Sequence, residues 1–287
     1  MHPSRYFELN FHIPKLQLLE VFPLTPFLWR YPSCNVFDVG ANTGLWSEAF
    51  LKTHGERVNK HLMFEPLPGN VKLLEQRTQN ILSRLITDPT VVGMAMGDAT
   101  SDVKINFNKE STTLASIRNT KSDFGSHSID LNKSVMVPQT TVDVQIAAQG
   151  IDHLHLMKID VEGYELNVLR GAEQALAAGK ISNVFFEFGV HQTAHGERFK
   201  DFFELFNDLG FKVYKSVRGR NFFGTAPVEK YHRSHEPGTK AVEMILASRE
   251  GPDPAYRGPN VIGAIDPPSK RMLQRIKIAL HSACIKF

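Results

Sequence analysis

Residues 36–44 read VFDVGANTG. Val36, Phe37 and Val39 have the bulk of a buried strand, with the acid Asp38 set among them. Gly40, Ala41, Asn42, Thr43 and Gly44 carry almost none. A turn of small residues at the carboxyl end of a buried strand is where open α/β sheets admit a ligand, because the ligand can come close to the backbone there.

Strand-like and helix-like runs alternate along the rest of the chain at the spacing of an α/β fold. The strands are expected at CNVFDVG (34–40), HLMFEP (61–66), VVGMAMG (91–97), HLHLMKIDVEG (153–163), ISNVFFEFG (181–189), FKVYKSV (211–217) and VEMILAS (242–248). Helices are expected at 43–53, 68–80, 141–149, 164–179 and 198–210, the last two stopped by Gly179 and Gly210. VKINF and TLASI within 103–117 predict a hairpin off the sheet, 118–134 a polar surface loop, and GRNFFGTAPVEKYHRSHEPGT (219–239) a long polar insertion. The pattern predicts one doubly wound, seven-stranded, mostly parallel sheet in a single Rossmann-like domain over 34–250. An N-terminal arm or lid (1–33) precedes it, and a Gly/Pro-rich loop and amphipathic helix (251–287) follow, with Met272, Ile276, Leu280 and Cys284 four apart.

With 42% apolar and 22% charged residues the composition is globular, so wholesale disorder is excluded. A net charge of +3, without a Lys/Arg run interleaved with aromatics, argues against nucleic acid. Cys34 and Cys284 lie far apart with no CxxC, which points away from a disulfide scaffold and towards a reducing, cytoplasmic compartment. No apolar run approaches a transmembrane length, and the N-terminus lacks the pattern of a signal peptide. The basic C-terminal helix either docks on the protein's own core or lies on a membrane surface.

Three strand ends share one rim. Asp38 and the turn Gly40, Asn42, Thr43, Gly44 end the first strand, Glu65 the second, and Gly97–Asp98 the third. Glu65 is placed to accept from ribose hydroxyls, and Asp98 from an adenine amino group. The turn is not GxGxxG and has no Lys after its glycines, so a pyrophosphate cradle is poorly supported and a P-loop is excluded. Two acids repel phosphate but tolerate a zwitterionic, cationic nucleoside such as S-adenosylmethionine. The bland alternative is a plain βα turn with a helix cap at Asn42 or Thr43.

Beyond that rim, Lys158, Asp160 and Glu162 share one side of the fourth strand, and the fifth contributes Glu187, with His191 four residues on. Charges on one face of a buried strand need each other or a ligand. Asp160 stands where a base or orienting group would sit, Glu187 or His191 could take an acceptor's proton, and Lys158 could hold either acid ionised. A structural salt-bridge network is the competing reading. A divalent ion held by Asp160, Glu187 and His191 stays open but is not predicted, because no spacing is diagnostic. His153 and His155 are expected on the exposed face of an incoming strand.

VFDVGANTGLWS, MFEPLPGNVKLL, the GD of AMGD, TTVDVQI and LMKIDVEGYELNVLRGAEQAL together resemble the FkbM-type family of S-adenosylmethionine-dependent methyltransferases, over roughly residues 34–217. The KIDVEGYE–VLRGAE block is the specific part; DVGANTG alone marks class I methyltransferases generally. The resemblance implies O-methylation of a hydroxyl on a sugar, glycolipid or small natural product. On the family pattern the Asp38–Gly44 turn, Glu65 and Asp98 bind the donor, and Lys158, Asp160, Glu162 and Glu187 line the reaction centre. The family often has a His soon after the fifth-strand acid, whereas here Phe188 and Gly189 follow Glu187 and the His comes only at 191. Two other classes compete: a non-catalytic scaffold retaining a nucleoside site, and an NAD-dependent enzyme, against which the missing GxGxxG counts. The acceptor and the oligomeric state are not fixed by the sequence.

Overall fold

The computed structural model describes residues 20–85, 89–107, 115–117, 123–124, 127–128, 133–219, 222–232 and 243–256. Most of the arm 1–33 and the whole of the C-terminal helix therefore lie outside the described residues. Its strands are β1 (Cys34–Val39), β2 (Val58–Phe64), β3 (Pro89–Val92), β4 (Ala95–Met96), β5 (Ser101–Phe107), β6 (Ala115–Ser116), β7 (Asp123–Phe124), β8 (His127–Ser128), β9 (Lys133–Thr140), β10 (Leu156–Ile159), β11 (Asn183–Phe188), β12 (Lys212–Gly219), β13 (Phe222–Val228) and β14 (Glu243–Ser248). The helices are α1 (Thr25–Leu28), α2 (Leu45–His54), α3 (Pro68–Asn80), α4 (Val142–Ala148), α5 (Glu165–Arg170), α6 (Glu173–Ala177), α7 (Val190–Ala194) and α8 (Phe199–Asp208).

The main sheet runs β13-β12-β14-β11-β10-β1-β2-β3, eight strands rather than the predicted seven. Its five strands from β11 to β3 are parallel, and β14, β12 and β13 complete it with antiparallel pairs. The extra strand is β13, in the segment read as a polar insertion. It contains Gly224 and Pro227 and sits at the sheet edge, where proline is tolerated.

Period-2 alternation sorts β1 between two cores. Phe37 and Val39 join Met157, Ile159, Phe186 and Phe188 beneath α4 to α6 and α8. Val36 joins Met63, Leu156, Phe185 and Leu246 beneath α2, α3 and the arm residues Val21, Leu24, Phe27 and Leu28. Asp38 and Lys158 fall on that second face and are directly opposite each other in the β1–β10 register. Lys158 is likewise opposite Phe185, so the alternation places Asp160 and Glu187 side by side at the carboxyl ends of β10 and β11.

The third expected strand splits at Gly93. β3 stays in the main sheet, while β4 turns into a second sheet of order β4-β9-β5-β6. Of the predicted hairpin, the described residues show Asn106 and Phe107 paired with Ser116 and Ala115. The main partner of β5 is β9, paired along its whole length from Ser101–Gln139 to Phe107–Lys133. The helix expected over 164–179 breaks into α5 and α6 at Gly171, whose backbone carbonyl accepts from Asp143 N at 3.0 Å. His153 and His155 are half-buried rather than exposed: His153 Nε2 lies 2.6 Å from Ser182 Oγ, and His155 Nδ1 accepts from Asn35 N at 3.0 Å. Among the described residues no helix is long and apolar enough to cross a membrane.

Candidate active site

The Gly40–Gly44 turn hangs from the neighbouring strand, with Gly40 N and Ala41 N donating to Phe64 O at 2.9 and 3.0 Å. Gly40 has φ +77°, and a Cβ there would lie 1.8 Å from the carbonyl oxygen of Asp160. Gly44 has φ +80° and faces Leu74 and Arg77 of α3. The small residues thus serve the protein's own packing first: Gly40 lets β1 and β10 end side by side. Arg77 braces the turn from outside, its Nε donating to Thr43 O at 2.6 Å while its guanidinium pairs with Glu48.

Glu65 is almost fully buried and fixed by three donors. Oε1 accepts from Leu67 N at 2.9 Å and Asn70 Nδ2 at 3.3 Å, and Oε2 accepts from Asn42 N at 2.9 Å. Burial raises its pKa, with the two backbone N–H groups, Asn70 and Lys158 pulling the other way. A carboxylate offers about four accepting positions. The set therefore leaves room for one more donor, which suits a ribose hydroxyl. Asp98 is exposed at the rim and accepts from Asn167 Nδ2 of α5 at 2.7 Å, while Gly97 N donates to Thr140 O at 3.0 Å.

Asp38, read as a ligand contact, has no exposed surface and lies under the turn instead. Its Oδ2 accepts from Ser47 Oγ at 2.5 Å, and its Oδ1 is 3.0 Å from Lys158 Nζ. The buried Lys158 ammonium also donates to Gly40 O at 2.9 Å and lies 3.3 Å from Asp160 Oδ2. Burial works against that charge, but Asp38, Asp160 and Glu20 outweigh it and hold the lysine protonated well above its usual range. Lys158 thereby joins the glycine turn to Asp160.

Asp160 is the accessible member, its side chain 39% exposed. Its neighbour Glu187 is pushed up to about 9, first by burial and then by the charges of Asp160, Glu162 and Glu165 and a hydrogen bond to Asp160. Burial and the neighbouring negative charges therefore favour the neutral acid form of Glu187, which argues against it as the resting base. Glu162 has φ +53° and turns away to meet His191, with Oε2 2.8 Å from Nε2. Burial opposes the charge on His191, but Glu162, Glu165 and Asp160 outweigh it and raise its pKa. The structure thus brings Lys158, Asp160 and Glu187 together and ties His191 to Glu162. Among the described residues no group of three or more His, Cys, Asp or Glu is placed to hold a metal ion.

Three participants escape the sequence reading. Glu165 is buried at the start of α5, accepts from Val161 N and Gly163 N at 3.2 Å and Gln192 Nε2 at 2.6 Å, and is pushed up to about 7 by burial. Gln192 Nε2 also donates to Glu187 O at 3.0 Å, joining the Glu165 side chain to the Glu187 backbone. Glu20, from the arm, feels Lys158, Asp160 and Asp38 and is pushed up to about 7, chiefly by burial. An EGYE motif could have flagged Glu165; Glu20 has no local signal.

Residues 38–213 match the family model described as the methyltransferase FkbM domain. No curated protein matches the chain. Among solved structures, an FkbM methyltransferase of Methylobacillus flagellatus KT aligns at 15% identity and a TM-score of 0.44, over 75% of this chain. The chain spans 44% of that protein's length. A precorrin-6y C5,15-methyltransferase of Geobacter metallireducens GS-15 aligns at 11% identity and 0.41, over 86% of this chain and 97% of that one. A SAM-dependent O-methyltransferase of Thermotoga maritima aligns at 11% and 0.38, over 87% and 66%. On the family model, which covers more than half of its length, the chain belongs to the FkbM methyltransferase domain family.

Proposed function

We propose that the protein is an S-adenosylmethionine-dependent methyltransferase acting on a hydroxyl oxygen of a sugar, glycolipid or small natural product. The observation that carries this reading is the Lys158 ammonium, which bonds the Gly40 carbonyl of the glycine turn and pairs with the accessible Asp160 carboxylate. A donor rim and an acceptor-side acid are thereby held in one frame. Glu65 would take the ribose hydroxyls, Asp98 the adenine amino group, and the backbone of Asn42 to Gly44 the rest of the nucleoside. The bound donor supplies an electrophilic sulfonium methyl.

The chain's own part is proton handling. Asp160 accepts the hydroxyl proton of the acceptor and orients its oxygen. Glu187 stays protonated beside it and donates to Asp160, so the pair carries one negative charge rather than two. His191, bonded to Glu162, shapes the acceptor side and is not the base.

The test is calorimetric titration of S-adenosylmethionine and S-adenosylhomocysteine, repeated on Glu65→Ala, followed by labelled-methyl transfer to a panel of sugars and glycolipids. Micromolar binding that Glu65→Ala weakens about tenfold or more supports the reading, since a hydrogen bond to a charged group is worth roughly 1.5–3 kcal/mol. A folded protein that binds neither compound overturns it.

A further inference from the structure

Behind Lys158 the polar contacts continue inward, through groups that touch no ligand site. Asp38, Ser47 and His61 each have no exposed surface, and they come from β1, α2 and β2. Ser47 Oγ donates to Asp38 Oδ2 at 2.5 Å and lies 2.7 Å from His61 Nε2. A hydroxyl has one hydrogen, and here it points at Asp38. The hydrogen between Ser47 and His61 must then belong to the ring, which makes His61 a neutral imidazole protonated at Nε2.

Two observations agree with that tautomer. Burial pushes His61 down to about 4, so it is uncharged near neutrality. Its Nδ1 is buried with no hydrogen-bond partner among the described residues. In the opposite tautomer Nδ1 would be a buried, unpaired N–H, the costlier arrangement.

We propose that Ser47 and His61 are positioning residues for methyl transfer, and that they act through Asp38 on the Lys158 ammonium. This rests on the donor-site reading above. Among the described residues the Lys158 ammonium donates to Gly40 O at 2.9 Å and pairs with Asp38 Oδ1 at 3.0 Å and Asp160 Oδ2 at 3.3 Å. His61 sets the direction of the Ser47 hydrogen, and Ser47 occupies Asp38 Oδ2. Asp38 is thus left only Oδ1 to pair with Lys158, and the ammonium stays on the turn carbonyl and beside Asp160. Without Ser47 the Asp38 carboxylate turns both oxygens to the lysine and draws it off the turn. The apolar surroundings, with the Phe50 ring stacked 5.9 Å from that of His61, keep water from substituting for the missing hydroxyl.

The experiment uses the full chain labelled with [15N]lysine, with the Lys158 signal assigned by Lys158→Arg, and S-adenosylhomocysteine as the calorimetric probe. In the native protein the Lys158 ammonium gives a slowly exchanging 15N signal at neutral pH. Ser47→Ala is expected to abolish that protection and to weaken S-adenosylhomocysteine about tenfold. His61→Leu moves both readouts in the same direction by less, and His61→Gln, whose amide puts a donor where Nε2 was, restores most of the loss. A folded Ser47→Ala that keeps both the signal and the affinity overturns the proposal, as does a His61→Gln as impaired as His61→Leu. If Ser47→Ala does not fold, the Leu and Gln pair decides. If the native protein binds no S-adenosylhomocysteine the donor-site reading fails, and the ammonium signal alone still decides the relay.

Discussion

Gly171 lies directly against the carbonyl of Gly97: a Cβ at 171 would fall 1.9 Å from that oxygen. The break between α5 and α6 is therefore the means by which the helix after β10 closes on the turn that carries Asp98. Asn167, four residues earlier, completes the contact by donating to Asp98 at 2.7 Å. Gly171→Ala forces backbone against backbone, for which overpacking costs of about 3 kcal/mol are appropriate. Urea unfolding should show a loss of that size, and any donor affinity should fall with it as Asp98 is displaced.

Gly40 and Gly44 both have positive φ, but their neighbours differ in kind. A Cβ at 40 meets the Asp160 backbone, whereas at 44 the nearest atoms are Leu74 Cδ1 and Arg77 Cδ, side-chain atoms that can shift. Gly40→Ala is expected to lose more than about 4 kcal/mol, and Gly44→Ala only about 1–2 kcal/mol from its left-handed backbone. Thermal unfolding of the two variants checks the order, and equal losses would contradict it.

Stability should depend on pH with a sign set by the carboxyls above neutrality. Glu187 is pushed up to about 9, while an unfolded Glu titrates near 4.5, so between these values the native state holds more protons than the unfolded chain. Its contribution is fully present below pH 4.5 and is lost as pH rises through about 9. His54, His61 and His155, all pushed down to about 4 with burial the first cause, act oppositely between pH 4 and 6.5. The melting temperature should therefore fall from pH 7 to pH 9. Glu187→Gln should flatten that limb, and an unchanged slope would show that Glu187 is not the group responsible.

Glu65→Gln keeps the shape at the second strand end and reverses half of its chemistry. The amide has one accepting oxygen for the donors now shared between Oε1 and Oε2, and its NH2 would face Asn42 N or Leu67 N. A buried donor facing a donor costs roughly 1–3 kcal/mol. Denaturant titration should show that loss, and donor binding should weaken more than in Glu65→Asp.

How far the site was legible follows from which signals are local. Alternation along KIDVE put Lys158, Asp160 and Glu162 on one side, but Glu162, at φ +53°, leaves that face, and Asp38, read as a ligand contact, is buried beneath the turn. The β1–β10 register that sets Asp38 beside Lys158 joins residues 120 apart in sequence, and no local pattern encodes it. Strand β9 overlaps the expected loop only at Lys133 and Ser134, and its remaining residues carry Pro138, which breaks a local strand signal. Ser47 and His61 look ordinary in sequence. His61 is informative only once its strand is known to bury both faces.

Among the described residues, the last strand in sequence is not last in space. Glu243–Ser248 lies between β11 and β12, so the β12–β13 hairpin reaches the rest of the sheet only through it. During synthesis the hairpin emerges first and must wait, while β11 presents an open edge to whatever strand is nearby. The order of translation thus sets the order of assembly: the parallel half can form early, but the sheet closes only when Ser248 has left the ribosome. β14 also lies beyond the matched residues 38–213, so the strand that completes this sheet lies outside the part of the chain that identifies its family.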